Sequence, residues 1–257
     1  MTTDTIDEVF AKTLLGGYDD DAPWTAVHEL QELGSREVLL RAAEWCRSGE
    51  PLKRARGAEI LAQLGRTADH STNNFQDDCF AIVFSLTESE MESEPLRSAI
   101  YAIGHIGDPR GVPIVSRFKN HPVAEIRFAV ACALGSFTED PNAVDALVYL
   151  TRDEDEDVRN WATFAVGALG KSDSPAIRDA LIERLDDSFE DARHEAIVGL
   201  ARLKDERVLP ALIADLEQDE VADLVIEAGL EMLGLSGTAE EWMPSDCARE
   251  LRKKYGI

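Results

Sequence analysis

Small and apolar residues recur along the chain with the spacing of one face of an α-helix. In the segment RNWATFAVGALG, which begins at Arg159, the residues three, six, seven and ten places after the arginine are Ala162, Ala165, Val166 and Leu169. At about 100° per residue these positions share one helical face. The same frame fits six further segments, which begin at Pro23, Arg54, Leu96, Arg127, Arg193 and Asp223. The pattern therefore predicts seven equivalent helices.

The seven segments start at positions 23, 54, 96, 127, 159, 193 and 223, so they are spaced by 31, 42, 31, 32, 34 and 30 residues. Between them lie second helical patterns that resemble one another: DALVYL at 145–150, DALIERL at 179–185 and PALIADL at 210–216. Pro109, Pro141 and Pro175 stand where helices are expected to start, a position that tolerates a missing N–H. A repeat of this length with two helices per unit predicts an α-solenoid.

These patterns predict one all-α array over residues 1–257, a right-handed α-solenoid (superhelix) of about seven short helix-turn-helix repeats with terminal capping helices. Residues 1–20 are predicted to form the N-terminal cap and residues 21–235 the repeats. The one long spacing predicts an inserted loop at 66–78. Residues 236–257 are predicted to form the C-terminal cap, packed on the last repeat through Trp242, Met243, Cys247 and Leu251.

Five acidic residues, Asp153 to Asp157, precede the segment at Arg159. They span a predicted turn and the start of a helix, where carboxylates accept bonds from free N–H groups and oppose the positive end of the helix dipole. A calcium loop would need the ligand spacing and glycine of an EF-hand, which this stretch lacks. The run therefore predicts capping, with no metal bound.

The pattern VRxxAxxALGxLG with acidic turns resembles the short HEAT repeats of bacterial proteins, also called PBS-lyase-like repeats. The resemblance covers about residues 20–235. It implies the HEAT-like solenoid fold, with the second helix of each repeat lining a concave groove. HEAT repeats serve many functions, so the resemblance specifies the fold and leaves the function open.

Composition narrows the class of partner. The chain carries 26 basic and 50 acidic residues, a formal net charge of −24, of which −8 falls on residues 1–137 and −16 on residues 138–257. Such a field attracts basic partners and repels nucleic acid and acidic membranes. No membrane-length apolar run and no leader pattern is found, which predicts a cytoplasmic protein. Four widely spaced cysteines predict buried thiols, without disulfides.

Frame positions that point away from the buried face predict the residues of a partner-binding groove. Tyr, Trp and Arg are the residue types enriched in binding hot spots. The predicted groove residues are Arg56, Arg97, Tyr101, His105, Phe128, Trp161 and His194. The prediction is a non-enzymatic scaffold for a basic protein partner, of the immunity (antitoxin) or adaptor type, with a monomer favoured.

Three enzyme classes are built on related repeats. An iron hydroxylase needs His-Glu pairs in several repeats, whereas only His194-Glu195 falls at the required positions. A bilin lyase or assembly-chaperone role is the main alternative, and no residue singles out a bilin site. A HEAT-like DNA glycosylase needs a basic groove, which the charge opposes. We therefore predict no catalytic residue, no metal and no cofactor.

Overall fold

The computed structural model of the protein describes residues 5–16, 20–235 and 237–257. Within these ranges the chain is helical, and its β-structure is limited to one isolated bridge, between Thr67 and His70. The helices are α1 Ile6–Lys12, α2 Asp21–Leu33, α3 Arg36–Trp45, α4 Pro51–Ala62, α5 Gln76–Ser89, α6 Ser93–Ile106, α7 Val112–Ser116, α8 Ala124–Gly135, α9 Pro141–Leu150, α10 Glu156–Phe164, α11 Pro175–Arg184, α12 Glu190–Arg202, α13 Leu209–Leu216, α14 Asp223–Leu233 and α15 Pro244–Tyr255. The prediction of an all-α fold is confirmed.

The helices form two compact units, one ending at Phe137 and the other beginning at Thr138. Unit 1 contains α1–α8 and unit 2 contains α9–α15. In unit 1 the helices α2, α4, α6 and α8 pack on one another in sequence, and in unit 2 the helices α10, α12 and α14 do the same. These seven helices, here called the second helices, contain the seven predicted segments. A helix is therefore confirmed at each of the seven segments, but Leu33 and Leu169, which the frame places on the buried face, are 51% and 43% exposed.

Local sequence sets the helix starts. Pro141 and Pro175 are the first residues of α9 and α11, as predicted, and the side chains of the preceding Asp140 and Ser174 accept bonds from backbone N–H groups of the first turn. Pro109 begins a short 3-10 turn, Pro109–Gly111, just before α7.

The acidic run at 153–157 acts as predicted. Asp155 is the N-cap of α10, and its carboxylate accepts from the backbone N–H of Val158 at 3.1 Å. The carboxylate of Asp153 accepts from the N–H of Asp155 at 3.0 Å. Glu156 and Asp157 follow in the first turn of α10, where negative charge opposes the helix dipole. Capping is therefore confirmed for this run.

The arginine that opens several second helices joins neighbouring hairpins. In each case its guanidinium donates to the carbonyl six residues earlier: Arg54 to Ser48, Arg127 to His121, Arg159 to Asp153 and Arg193 to Asp187. Three of them also reach a carboxylate in the next hairpin: Arg54 pairs with Glu90, Arg159 with Asp187 and Arg193 with Asp215. The repeated arginine therefore fixes both its own turn and the neighbouring repeat.

Second helices approach closely where glycine removes a side chain. A Cβ atom on Gly199 of α12 would lie 2.8 Å from the Cα of Gly167, which is closer than real atoms pack. Gly167 belongs to a π-helical turn, Ala165–Leu169, that extends α10. Arg202 donates to the Gly167 carbonyl at 2.5 Å and so satisfies one of the acceptors at this turn. The contact therefore excludes a side chain at Gly199, and it leaves little room for one at Gly167, whose added Cβ would lie 3.1 Å from the Cα of Gly199.

The predicted loop at 66–78 is shorter than expected, because α5 already begins at Gln76. The segment that precedes α5 is held against unit 1 by two asparagines. The side chain of Asn73 donates to the Leu61 carbonyl at 2.9 Å, and that of Asn74 donates to the Gly34 carbonyl at 3.0 Å. The second half of this insertion is therefore anchored to the repeats by hydrogen bonds.

At the ends, α1 packs on α2, and α15 packs on α13 and α14. Residues 1–4, 17–19 and 236 of the predicted caps lie outside the described residues. In α15, Cys247 and Leu251 are buried as expected. Met243 is 65% exposed, so its predicted packing on the last repeat is wrong. No helix in the described part of the chain is both long and apolar enough to cross a bilayer.

Candidate functional site

Three second helices of unit 1 surround a pocket of about 240 Å³. Helix α2 contributes Trp24 and His28, α4 contributes Glu59, and α6 contributes Tyr101 and His105. The remaining lining residues are Val27, Gln31, Ala62, Gln63, Ser98 and Ala102. The pocket therefore combines aromatic side chains with a single carboxylate.

The carboxylate of Glu59 is fixed at its position by two donors. Arg56 donates from Nη1 to Oε2 of Glu59 at 2.7 Å, and the Ser98 hydroxyl donates to Oε1 at 2.7 Å. The side chain of Glu59 is only 11% exposed. The Glu59 backbone carbonyl accepts from the Gln31 side chain at 2.9 Å. Side chains from α2, α4 and α6 thus hold Glu59 in place.

Arg56 is almost completely buried, with 3% of its surface exposed. Its guanidinium lies over the Trp24 ring, 4.8 Å from the ring centroid, and its Nε donates to the Thr13 carbonyl at 2.9 Å. The sequence analysis predicted that Arg56 lies on an open groove surface. In the structure Arg56 is buried and contacts Trp24 and Glu59. A guanidinium, an indole and a carboxylate therefore already contact one another beside the pocket.

The electrostatic balance at Glu59 favours added positive charge. Burial raises the pKa of Glu59, and the ion pair with Arg56 and the hydrogen bonds from Arg56 and Ser98 only partly oppose this effect. The negative charge of Glu94 raises the pKa of Glu59 further. At the rim, desolvation of the ring and the nearby positive charge of Arg66 lower the pKa of His105, which favours its neutral form. Burial therefore outweighs the pairing with Arg56 and disfavours the ionised form of Glu59.

Of the seven predicted groove residues, five lie in unit 1. Tyr101 and His105 line the pocket at Glu59. Arg97 is half-buried and lines a separate hollow of about 250 Å³ between α6 and the start of α8. Phe128 is also half-buried. The structure therefore brings Tyr101 and His105 together in one pocket and places Arg97 in another.

The other two predicted residues lie in unit 2. Trp161 is half-buried on α10, with its ring centroid 5.5 Å from that of Phe164. His194 is buried, and its Nε2 lies 3.4 Å from a carboxylate oxygen of Asp215, the residue that also pairs with Arg193. His194 therefore faces the link between hairpins, whereas the prediction placed it on an open groove. Binding by any of the seven stays a prediction.

Trp24 and Glu59 both line the pocket, as their positions in the helical frame predicted, although neither was among the seven residues selected as partner-binding. They hold outward positions in the helical frame, one and five places after Pro23 and Arg54. The frame alone therefore contained a signal for both. It did not show that they meet, because they come from different repeats.

A larger hollow of about 580 Å³ lies on the other side of unit 1, between the first helices of two hairpins. It is lined by the end of α3, one face of α5 and the turn that follows α5, including Cys46, Ile82, Leu86 and Met91. Met91 is 92% exposed. Charged residues such as Arg54 of α4 and Glu90 also line this hollow, and it shares no lining residue with the pocket at Glu59.

Potential metal ligands do not cluster in the part of the chain that the structure describes: no three His, Cys, Asp or Glu side chains there are placed to share an ion. Cys46, Cys79 and Cys247 are buried thiols, and Cys132 is half-buried. Burial raises the pKa of Cys46 to about 12, so this thiol is not an activated nucleophile.

With the fold and pocket defined, comparison with known proteins identifies the family. The sequence profile described as HEAT repeats matches residues 83–167 and 163–234. The chain belongs to the HEAT-repeat family. This assignment agrees with the hairpin repeats in both units and confirms the predicted solenoid class.

Among the relatives of this HEAT-repeat protein is YibA of Escherichia coli K12, which is 30% identical over 232 residues, covering 88% of this chain and 80% of YibA. The X-ray structure of E. coli YibA matches with a TM-score of 0.73 and 26% identity, over 96% of this chain and 92% of YibA. The phycocyanobilin lyase subunit alpha of Nostoc is 26% identical over 160 residues, covering 62% of this chain and 57% of the subunit. A designed armadillo repeat protein matches in fold, with 12% identity, a TM-score of 0.50 and coverage of 81% and 99% of the two chains.

Proposed function

We propose that this HEAT-repeat protein is a non-enzymatic scaffold whose second helices bind a basic protein partner. The observation that carries the proposal is the pocket at Glu59, where Trp24 and Tyr101 stand half-exposed beside a buried carboxylate. Aromatic anchors that a partner desolvates contribute most of the binding energy at protein interfaces. Second helices that stack in register present such anchors from several repeats at once.

The charge supports a basic partner. The chain carries a net charge of −24, and residues 138–257, which make up unit 2, carry −16 of it. A field of this sign speeds the encounter with a positively charged protein and opposes binding of nucleic acid or acidic lipid. Association should therefore slow as salt rises, since a Debye length is only about 8 Å at 0.15 M salt.

Two biological forms of this role are proposed: an immunity (antitoxin) protein that covers a basic toxin domain, and a cytoplasmic adaptor. Both use the same surface, so they differ in the partner and not in the site. The genes that flank this one distinguish them, because an adjacent toxin gene supports immunity. One relative is named as a subunit of a lyase, and a subunit acts within a protein complex, which supports a role in binding another protein.

The test uses the full chain and three labelled peptides of equal length, rich in Arg, Glu or Ser. Fluorescence anisotropy at low and moderate salt measures the affinities. Only the Arg-rich peptide should bind saturably, and more weakly as salt rises. Hydrogen exchange with that peptide bound should show protection of second helices such as α2, α4 and α6. Equal binding of all three peptides, or protection confined to first helices such as α3 and α5, would refute the proposal.

A role in bilin attachment is the alternative, favoured by the similarity to the Nostoc phycocyanobilin lyase subunit. The pocket at Glu59, at about 240 Å³, is smaller than the roughly 300–1,000 Å³ of sites for drug-sized ligands. The hollow at Met91, at about 580 Å³, falls within that range. Addition of phycocyanobilin decides between the roles: induced visible circular dichroism that Met91→Trp abolishes would support the bilin role.

A further inference from the structure

We infer that the pocket at Glu59 is a binding site for the guanidinium group of an arginine side chain supplied by the partner. The inference rests on the proposed function and names the contact that anchors it. Three observations carry it: the size of the pocket, the unused acceptor capacity of Glu59, and the contact that Arg56 already makes with Trp24.

The size of the pocket limits its occupant. A volume of about 240 Å³ is too small for a drug-sized ligand but holds a single long side chain. Its walls come from Trp24, Tyr101 and small residues such as Ala62 and Ala102, and Glu59 lies within it. An extended side chain that enters between the aromatic rings therefore ends beside a carboxylate.

The Glu59 carboxylate has room for a further hydrogen-bond donor. Glu59 has one positive partner, Arg56, while the negative charge of Glu94 acts on Glu59 as well. Oε2 of Glu59 accepts a hydrogen bond from Arg56 and Oε1 accepts one from Ser98, and a carboxylate oxygen has capacity for a second. A planar donor that enters the pocket therefore finds unused acceptor capacity on the Glu59 carboxylate.

The chemistry favours arginine over lysine. A guanidinium is planar, stacks on aromatic faces and is less strongly hydrated than an ammonium group, so it enters a partly buried aromatic pocket at lower cost. Arg56 shows this chemistry within the protein, because its guanidinium lies 4.8 Å from the Trp24 ring centroid and donates to Glu59. A second guanidinium would use the open side of the same carboxylate.

The experiment titrates the wild-type protein with N-acetyl-arginine amide at about pH 8 and moderate salt. The readout is the indole N–H signals of the four tryptophans in a ¹⁵N spectrum. N-acetyl-citrulline amide, the neutral isostere, and N-acetyl-lysine amide are the matched ligands. The Trp24 signal, assigned with a Trp24→Phe variant, should shift saturably, with arginine binding at least tenfold more tightly than citrulline and more tightly than lysine.

Internal controls come from Trp161 and Trp242, whose signals should not move. The Glu59→Gln variant should lose the preference for arginine over citrulline. If that variant unfolds, the citrulline comparison on the wild type still decides. The inference is overturned if citrulline binds as well as arginine, if all four indoles shift alike, or if the Trp24 signal stays fixed.

The outcomes separate this inference from the proposed function. If the Arg-rich peptide binds the second helices while the Trp24 signal stays fixed, the scaffold role stands and the pocket assignment fails. If the arginine derivative shifts Trp24 but the peptide protects only first helices, the pocket binds a cation and the proposed docking surface is wrong.

Discussion

The ion pair between Arg159 and Asp187 provides a stringent test of how the repeats are joined. Arg159 donates from Nε and Nη2 to the two carboxylate oxygens of Asp187, at 2.9 and 3.1 Å. The Asp187 side chain is only 2% exposed and that of Arg159 is 13% exposed. Replacing Arg159 by Met keeps most of the aliphatic stem and removes the charge, so a buried carboxylate loses its bidentate partner.

The expected cost follows from what remains around Asp187. Removing one partner of a buried ion pair costs roughly 3–5 kcal/mol. Asp187 keeps a bond from Arg184 at 3.0 Å and one from the Phe189 N–H at 2.9 Å, which reduces the penalty. Arg159→Met also frees the carbonyl of Asp153, which lies nearer to solvent. We therefore expect Arg159→Met to lower the free energy of unfolding by about 2–3 kcal/mol.

Unit 2 supplies a matched control. Arg152 donates to both carboxylate oxygens of Glu183, at 2.6 and 2.8 Å, and also joins neighbouring hairpins. Its side chain and that of Glu183 are 46% and 45% exposed. Solvent-exposed pairs contribute about 0–1 kcal/mol, so Arg152→Met should cost less than about 1 kcal/mol.

Urea unfolding followed by far-UV circular dichroism measures both variants. The two pairs share bidentate geometry and differ in burial. Equal losses of unfolding free energy in the two variants, or a loss below about 1 kcal/mol for Arg159→Met, would show that burial does not determine how much the pair stabilises the fold. A double-mutant cycle with Asp187→Asn should give a coupling energy of about 1–3 kcal/mol. A coupling near zero would show that the two residues act independently.

Three further predictions follow from single contacts. Gly199→Ala should destabilise the protein by about 1–3 kcal/mol because its Cβ would meet Gly167, whereas Gly49→Ala, with nothing within 4 Å, should be nearly neutral in thermal melts. Hydrogen bonds from Arg207 lower the pKa of Asp205 despite its burial, so ionised Asp205 stabilises the fold. This contribution is fully present above the unfolded pKa of about 3.9 and is lost as pH falls toward the lower folded pKa. The melting temperature of Asp205→Asn should therefore fall less steeply at acid pH than that of the wild type. Asp155→Ala should cost about 1 kcal/mol by loss of the α10 cap, and calcium should not shift the melting temperature of the wild type.

The seven second helices were predictable because each repeats one frame of apolar positions, and a helix period fixes which residues share a face. The same frame placed Arg56 and His194 outward, yet both are buried. Arg56 is covered because Trp24 and the Thr13 carbonyl of the preceding hairpin lie against it. His194 is covered because Asp215 reaches it from the following hairpin. The frame describes one helix at a time and cannot show what a neighbour covers.

The pocket at Glu59 shows the same limit at the level of the site. Tyr101 and His105 were selected as partner-binding residues, whereas Trp24 and Glu59 were placed only at groove-lining positions of the frame. Their meeting depends on the relative position of α2, α4 and α6, which the repeat spacing does not encode. The long spacing after Gly65 predicted an insertion there, but the anchoring of Asn73 and Asn74 became visible only in the structure.

Acidic residues at the turns serve two roles that act over different distances. Asp155 accepts a hydrogen bond from Val158 at 3.1 Å, an effect confined to the first turn of α10. Its neighbours Glu154 and Glu156 are exposed and add to a field that extends about a Debye length into solvent. Replacing both glutamates by Gln should therefore slow association with a basic partner and change stability by well under about 1 kcal/mol. Asp155 therefore contributes to the stability of α10, whereas the exposed glutamates raise the association rate with a basic partner.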